Sequence, residues 1–164
     1  MEIPLKNGGV ALIDDADYSI VSGRDWHWRQ DIRSHIKYAV RYHYIEKRLI
    51  RTFMHRLILQ LTDPKQICDH KNGDGLDNRR SNLRVCSWSQ NLANRKKTLK
   101  NKTGFKGVHQ PSVQIPVWVA QIRCMYRVYY LGRFRSPEDA ARAYDKAALF
   151  FFGDFANINF PQTP

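Results

Sequence analysis

The sequence predicts an α+β protein built from antiparallel sheets and a small number of helices. Residues 38–44 alternate aromatic with small or basic side chains, the pattern of a half-buried strand. Residues 117–123 and 126–131 have the composition of paired strands. The run 136–139 (Ser-Pro-Glu-Asp) predicts a helix start, because serine caps a helix, proline suits its first position and acids favour its first turn. Apolar residues then recur at helical spacing until Gly153 ends the helix.

The rest of the chain divides into segments of different character. The first 54 residues contain short strand-like runs. Residues 53–61 repeat apolar side chains at helical spacing, and residues 71–78 are dense in turn-forming Asn, Asp and Gly. We therefore expect four parts: a β-rich region at 1–54, a compact motif at 55–95, a basic linker at 96–103 and a C-terminal domain at 104–161.

The charge of the chain points to an anionic partner. The formal net charge is +12 over 164 residues. Residues 95–164 hold twelve Lys and Arg against four Asp and Glu, so +8 of that charge lies there. Nucleic acid or an anionic membrane would suit such a balance. No run approaches the roughly 18 apolar residues of a spanning helix, so double-stranded DNA is expected and a membrane is not.

Three cysteines occur, at positions 68, 86 and 124, and none forms a C-x-x-C pair. A zinc site is therefore not expected. The odd, sparse count and the absence of an export signal at the first ten residues predict a reducing, cytoplasmic location. We expect the cysteines to be small packing residues.

One cluster of polar residues has the chemistry of phosphodiester hydrolysis. Asp69 and His70 are adjacent, and Asn82 and Asn91 follow. An imidazole titrates near neutral pH and can activate water, while a cation must neutralise charge on the phosphate. Carboxylate and amide oxygens suit Mg²⁺, or Mn²⁺, better than zinc. The cofactor expected on this basis is a divalent cation, Mg²⁺ first.

The surrounding residues resemble the HNH endonucleases, and most closely the homing branch found in introns and bacteriophages. The matching stretches are His55-Arg56-Leu57, residues 69–74 (DHKNGD), residues 78–84 (NRRSNLR) and Gln90-Asn91. The resemblance implies a ββα-metal fold, His70 as general base, Asp69 and Asn91 as metal ligands, and Asn82 as the residue that holds the loop. It gives His55 no clear chemical role. The alternative is an Asn- and Asp-rich loop with a hydrogen-bonded histidine.

The C-terminal part resembles the apetala-two/ethylene-response-factor DNA-binding domain. The matching stretches are 104–108 (GFKGV), 118–123 (WVAQIR), 130–132 (YLG) and 140–148 (AARAYDKAA), and 157–161 (NINFP) also fits. The resemblance covers about residues 103–161. It implies a three-stranded antiparallel sheet packed on one helix, with the sheet in the major groove of DNA.

DNA contacts are expected in both parts. In the motif at 55–95 and the linker they are Arg79, Arg80, Arg84, Lys96 and Lys97. In the C-terminal domain they are Lys106, His109, Gln121, Arg123, Arg127, Tyr130 and Arg133. Alternation along a strand places Gln121 and Arg123 on one face, with Trp118, Ala120 and Ile122 toward the helix. Plant members carry arginine, an acid and arginine where this chain has His109, Gln121 and Val128, so the base sequence that it reads is not predictable.

Together the two resemblances imply a site-specific homing-type DNA endonuclease that leaves a 5′-phosphate and a 3′-hydroxyl. Its expected setting is a bacterial or phage-infected cell, as a monomer, with a dimer as the alternative. A second hypothesis is a DNA-binding transcriptional regulator whose HNH motif is inactive. A third is an RNA-binding or structural protein.

Overall fold

The protein divides into two compact units, residues Met1–Ser87 and Trp88–Pro164, which are described separately. The structure is a computed structural model that describes residues 1–32, 34–97 and 101–161. The expected linker at 96–103 therefore lies partly outside the described residues. The predicted α+β class with antiparallel sheets is confirmed. Among the described residues, no helix has the length and apolar character needed to span a membrane.

The first unit contains three small antiparallel sheets and two short helices. The sheets are the hairpins β1–β2 and β6–β7 and the three-stranded sheet β3-β4-β5. The elements are β1 (Glu2–Pro4), β2 (Val10–Leu12), α1 (Tyr18–Val21), β3 (His27–Gln30), β4 (Lys37–Ile45), β5 (Arg48–Phe53), α2 (Met54–Ile58), β6 (Ile67–His70) and β7 (Leu83–Cys86).

One hydrophobic core serves this whole unit. Ile13, Trp26, Met54 and Ile58 are almost completely buried in it, and Leu83 of β7 packs in the same cluster. The Trp26 indole N–H donates to the Val21 carbonyl at 2.9 Å, which satisfies the polar atom of the largest buried side chain. Residues 1–54 and the segment that follows therefore fold together, although the expected boundary at 54 stays a prediction.

Helix α2 is shorter than the predicted 53–61 pattern. Gln60 has a positive φ of 53°, its N–H bonds the Leu57 carbonyl, and the Leu61 N–H reaches back to the Arg56 carbonyl. These two bonds form the Schellman arrangement that ends a helix at a left-handed residue. The apolar periodicity runs past that point, which is why the sequence pattern overestimates the helix.

The hairpin β4–β5 projects beyond the core. Residues 41–52 contain no buried residue, and the strands are joined by Glu46 and Lys47. Both turn residues have positive φ, 48° and 65°, as a two-residue type I′ turn requires. The result is a tightly closed two-stranded ribbon.

The second unit is a three-stranded antiparallel sheet packed on one long helix. The strands lie in the order β10-β9-β8, and α4 packs on the sheet. The Ser136 hydroxyl accepts the Asp139 N–H at 3.1 Å, so the predicted capped start is confirmed. The elements are α3 (Trp88–Asn94), β8 (Val108–His109), β9 (Trp118–Cys124), β10 (Arg127–Phe134) and α4 (Pro137–Phe152).

A β-bulge interrupts the pairing of β9 and β10. Tyr130 lies opposite Gln121, but Gly132 lies opposite Ala120, so Leu131 is an extra residue in β10. A bulge of one residue shifts the alternation of every side chain after it. Arg133 consequently lies opposite Val119, on the same face as Gln121.

Asp145 fastens the chain after α4 to the helix. This carboxylate is buried and accepts the N–H of Asn159 at 2.7 Å and the N–H of Phe160 at 2.9 Å. The Asn159 side chain adds a third bond to it at 2.9 Å and also accepts the Lys106 N–H. Residues 157–160 thus close one side of the C-terminal core.

Gly107 tests how tightly this core is packed. A β-carbon at this position would lie 1.9 Å from the Tyr144 ring, and the residue has a φ of +76°. Gly104 has a similar φ of +78° but open space around it. We expect Gly107→Ala to lower the free energy of unfolding by at least about 2 kcal/mol, because overpacking adds to the left-handed strain. Gly104→Ala should cost only about 1 kcal/mol. Urea unfolding of both variants measures the difference, and equal losses would contradict the packing argument.

Candidate nucleic-acid interface and a buried histidine cluster

The outer face of the C-terminal sheet is the surface turned away from α4. Alternation along β9 leaves Gln121 and Arg123 exposed while Ala120 and Ile122 are buried toward the helix. Residues directly opposite each other in antiparallel strands share a face. Five of the expected DNA-contact residues meet on this outer face: His109, Gln121, Arg123, Tyr130 and Arg133.

The outer face combines positive charge with groups that can read base edges. Tyr130 is 63% exposed and lies opposite Gln121, while Arg123 lies opposite Val128. Arginine and glutamine are the side chains that make paired hydrogen bonds to guanine and adenine in the major groove. The exposed Val128 adds an apolar contact of the kind that suits a thymine methyl group.

Two expected contact residues lie off this face. The Lys106 ammonium donates to the Ala93 carbonyl. It also donates to the carbonyl of Arg95 at 2.7 Å and to that of Asn157 at 3.4 Å. Burial lowers the pKa of Lys106 to about 8, against an opposing effect of Asp145. Arg127 lies opposite buried Cys124, beside the turn between β9 and β10. Lys106 thus ties α3 to the chain after α4 within the second unit.

The linker lysines differ from each other. Lys97 donates to the Gly104 carbonyl at 2.7 Å. Lys96 is exposed. Their contact with DNA stays a prediction.

In the first unit, Asn82 closes the turn-rich loop between β6 and β7. Its side-chain amide donates to the Asp77 carbonyl at 2.7 Å, and its side-chain oxygen accepts the Asn72 N–H at 3.0 Å. Asn72 in turn bonds the Asp77 carboxylate at 2.9 Å. The loop is therefore held by polar bonds among its own Asn and Asp residues, in keeping with their tendency to bond nearby backbone.

His70 lies at the end of β6 in a buried cluster of rings. Its ring centroid is 5.1 Å from that of His55 and 5.7 Å from that of Tyr38. Its Nε2 lies 3.4 Å from the Asn78 side-chain oxygen. Phe53 stacks on His55 at 5.3 Å. The His55 Nδ1 is buried with no bonding partner among the described residues.

Burial keeps both imidazoles neutral. Desolvation lowers the pKa of His55 to about 3, helped by the nearby His70 and Arg56. Desolvation also lowers the pKa of His70, against opposing effects of Asn78 and three nearby aspartates. A neutral histidine can accept a proton, so protonation state alone does not decide whether His70 is a base. Its 5% exposure places it inside the packed unit.

The three arginines expected to contact DNA in this unit are each paired with a carboxylate. Arg79 pairs with Asp77 at 2.7 Å and Arg84 with Asp69 at 2.8 Å. Arg80 makes a two-pronged contact with buried Asp17, with Nε–Oδ2 at 2.9 Å and Nη2–Oδ1 at 2.7 Å. These pairs reduce the charge available to phosphates.

The two predicted cation ligands lie on β6 and α3. The Asp69 carboxylate is buried and bonds the Arg84 guanidinium, with Nε also at 2.8 Å. Among residues 1–32, 34–97 and 101–161, no three His, Cys, Asp or Glu side chains are grouped so that they could hold a metal. Binding of Mg²⁺ by Asp69 and Asn91 stays a prediction.

Cys68, Cys86 and Cys124 are free thiols, and Cys124 is buried. Burial raises the pKa of Cys68 to about 12 and that of Cys86 to about 11. Both thiols therefore stay protonated and unreactive at neutral pH.

Sequence reasoning missed Asp17 and Tyr38. Asp17 is 63 residues from the arginine that it binds, and no local pattern reveals such a pair. The run of aspartates at 14, 15 and 17 follows an apolar run and indicates a turn or a helix cap, which does not distinguish the buried Asp17 from its exposed neighbours. Tyr38 was identified only as a strand residue.

Several of the known proteins to which the chain is similar are named as transcription factors. The chain is 43% identical over 63 residues to Protein PPLZ02 of Lupinus polyphyllus, covering 37% of this chain and 35% of that protein. It is 42% identical over 69 residues to Ethylene-responsive transcription factor RAP2-11 of Arabidopsis thaliana, covering 40% and 26%. It is 34% identical over 100 residues to Ethylene-responsive transcription factor ERF069 of Arabidopsis thaliana, covering 57% and 59%.

The chain thus spans between about a quarter and three fifths of these relatives' own length. No protein-family model matches it. No solved structure matches it. The C-terminal resemblance to the apetala-two/ethylene-response-factor proteins is confirmed at the level of relatives of that type.

The expectation of an HNH endonuclease is wrong. The relatives are named as ethylene-responsive transcription factors and, in one case, as a dehydration-responsive element-binding protein of Arabidopsis thaliana, and not as nucleases. The expected ββα-metal core is likewise unsupported. The Asp69 carboxylate bonds Arg84, and His70 is packed among rings. The roles that the resemblance implies for the individual residues stay predictions.

The Arg80–Asp17 pair should stabilise the first unit. We expect Arg80→Gln to lower the free energy of unfolding by about 2 kcal/mol, since it leaves a carboxylate that is 2% exposed without its partner. The control is Lys6→Gln, which removes an exposed pair with Asp25 and should cost less than about 1 kcal/mol. Chemical denaturation measures both, and a loss for Arg80→Gln no larger than that of the control would show that the pair is not structural.

Acid should destabilise the first unit through His55. Its pKa is about 3 when folded and 6.5 when unfolded, so the unfolded chain binds the extra proton between these values. The contribution of neutral His55 to the free energy of unfolding is fully present above pH 6.5. It is lost as the pH falls toward 3, by up to roughly 5 kcal/mol. We expect His55→Phe, or His55→Gln if the former misfolds, to flatten this dependence in unfolding experiments at several pH values. Exposed His35→Asn is the control and should leave the slope unchanged; an unchanged slope for the His55 variants would contradict the assignment.

Proposed function

We propose that this protein is a DNA-binding transcriptional regulator, and that its second unit binds duplex DNA by the outer face of β8–β10. The observation that carries this proposal is the convergence of His109, Gln121, Arg123, Tyr130 and Arg133 on one exposed sheet face. The opposite face is occupied by α4, so only one side of the sheet is available to a ligand.

Charge and shape support duplex DNA as the ligand. A basic sheet with a two-residue repeat can present alternate side chains to base edges while flanking arginines contact phosphates. Arg123 and Arg133 supply positive charge to the face, and Gln121 supplies a donor and an acceptor side by side. The relatives' names describe transcription factors and, in one case, binding to a dehydration-responsive element.

The test compares two charge-neutralising variants. Arg123→Gln removes a charge from the outer face, whereas Lys146→Gln removes one from the exposed side of α4. We expect Arg123→Gln to weaken duplex binding by about 5- to 150-fold, the range for a lost base contact, or to lower the salt dependence by about 0.9 if it touches phosphate. Lys146→Gln should leave both unchanged. Fluorescence anisotropy with duplex at several salt concentrations gives both quantities.

Gln121→Ala adds a measure of specificity. Binding-site selection from a random duplex library should yield a defined motif for the unaltered chain and a relaxed preference at one position for this variant. Failure of the chain to bind duplex DNA, or equal losses for Arg123→Gln and Lys146→Gln, would exclude the proposed interface.

A further inference from the structure

We propose that the projecting hairpin of the first unit, residues 41–52, is a second contact for duplex DNA and enters a groove as a two-stranded ribbon. We call residues 41–52 the ribbon. This inference rests on the proposed function only for the choice of ligand, since the ribbon belongs to the other unit and to a different sheet.

The first observation is that the ribbon is not used by the core. Residues 41–52 include no buried residue, and none of them belongs to the hydrophobic cluster of the first unit. It nevertheless exposes large apolar and aromatic groups: Tyr44 is 72% exposed, Leu49 56% and Ile45 54%. Tyr44 and Leu49 lie opposite each other, and exposed apolar side chains that adjoin on a projecting element are typical of an interaction surface.

The second observation is uncompensated positive charge. The ribbon carries Arg41, Lys47, Arg48 and Arg51 against one acid, Glu46. Within the described part of the chain, none of these four basic side chains forms an ion pair. The pKa of Arg41 is lowered by burial and by the charge of Arg24, a further sign that positive groups here lack acidic neighbours.

The arginines of the first unit differ in their ion pairs. Those of the turn-rich loop and of β7, such as Arg80, are each paired with a carboxylate. Within the described residues, the ribbon arginines form no such pair. Positive charge left unpaired on a protruding element is available to phosphates, whereas paired charge must first lose its partner.

The register of the strands sorts the ribbon's side chains onto two faces. Tyr42 lies opposite Arg51 and Tyr44 opposite Leu49, so one face combines aromatic groups with an arginine. Tyr42 also accepts a bond from Arg29 of β3 at 3.1 Å, which extends this face with a further basic residue. Arg41 and Arg48 belong to the other face, by the same register.

The dimensions suit a DNA groove. A two-stranded ribbon fits the major groove, which is about 12 Å wide and about 8.5 Å deep. The five residues 41–45 of β4 extend about 16 Å, which exceeds that depth. The type I′ turn at Glu46 and Lys47 keeps the tip narrow, because its twist matches that of the two strands. Both faces of the ribbon can then contact opposite walls of the groove.

The test uses the full chain and a mixed-sequence duplex of about three helical turns, ~30 base pairs. We expect the double variant Arg48→Gln/Arg51→Gln to lower the slope of log Kd against log salt by about 1.8, since each phosphate contact contributes about 0.9. Binding near 50 mM salt should weaken by at least about tenfold. The double lysine variant keeps the charges and should retain the slope.

Two single variants provide a matched pair. Arg48→Gln and Lys65→Gln each remove one exposed charge from the first unit, but only Arg48 lies in the ribbon. The slope should fall by about 0.9 for the first and stay constant for the second. Tyr44→Ser should weaken binding without changing the slope, because it removes contact area and no charge. Melting temperatures should be unchanged throughout, since these residues lie outside the core.

Arg123→Gln in the same assay separates this inference from the proposed function. A normal slope for the ribbon variants together with a loss for Arg123→Gln overturns the ribbon proposal and leaves the outer-face proposal intact. A loss for the ribbon variants with none for Arg123→Gln supports the ribbon and rejects the outer face. Equal weakening of binding to a single-stranded oligonucleotide of the same length would overturn groove insertion.

Discussion

The loop between β6 and β7 organises the first unit through its bonds to segments far away in the chain. Arg80 reaches Asp17 beside α1 and also donates to the Ile58 carbonyl at the end of α2, while its own N–H bonds Asp14. Leu12 of β2 bonds two residues within the same loop, since its N–H donates to the Leu76 carbonyl and its carbonyl accepts the Asn78 N–H. The loop has little apolar content, so its place in the fold depends on these directional bonds. This polar loop therefore links β2, α1 and α2 of the unit by hydrogen bonds and an ion pair.

The Asn- and Asp-rich composition of this loop also explains why the sequence predicts a hydrolytic motif, although relatives of the chain are named as transcription factors. Asp69, His70 and Asn82 are residue types that a nuclease needs, and they are equally the types that hold an irregular loop. In the structure Asn82 bonds the loop backbone, as the resemblance to the endonucleases also implied, while Asp69 bonds Arg84 and His70 packs against His55. Residue type and spacing do not separate these uses, because both demand short polar side chains close to a bend.

The sequence predicted the C-terminal half better than the N-terminal half, for physical reasons. The contacts of β9, β10 and α4 join neighbours in the chain, so strand alternation and the Ser136 cap were sufficient to place Gln121 and Arg123. The N-terminal half depends on contacts of long sequence separation, such as Arg80 with Asp17, which leave no local pattern. The bonding of Lys106 also depends on residues distant in sequence. Its ammonium donates to carbonyls up to 51 residues away, and no residue near it in the sequence indicates these bonds.

The bulge at Leu131 determines which side chains of β10 lie on the outer face of the sheet. Because the extra residue resets the alternation, Arg133 emerges on the outer side and Phe134 packs inward. If β10 instead paired regularly through Leu131, Arg133 would lie opposite Trp118 and turn to the helix, and Phe134 would turn to solvent. The same residues would then offer a ligand a different surface, so the position of the bulge decides, together with the composition of β10, which side chains a ligand meets.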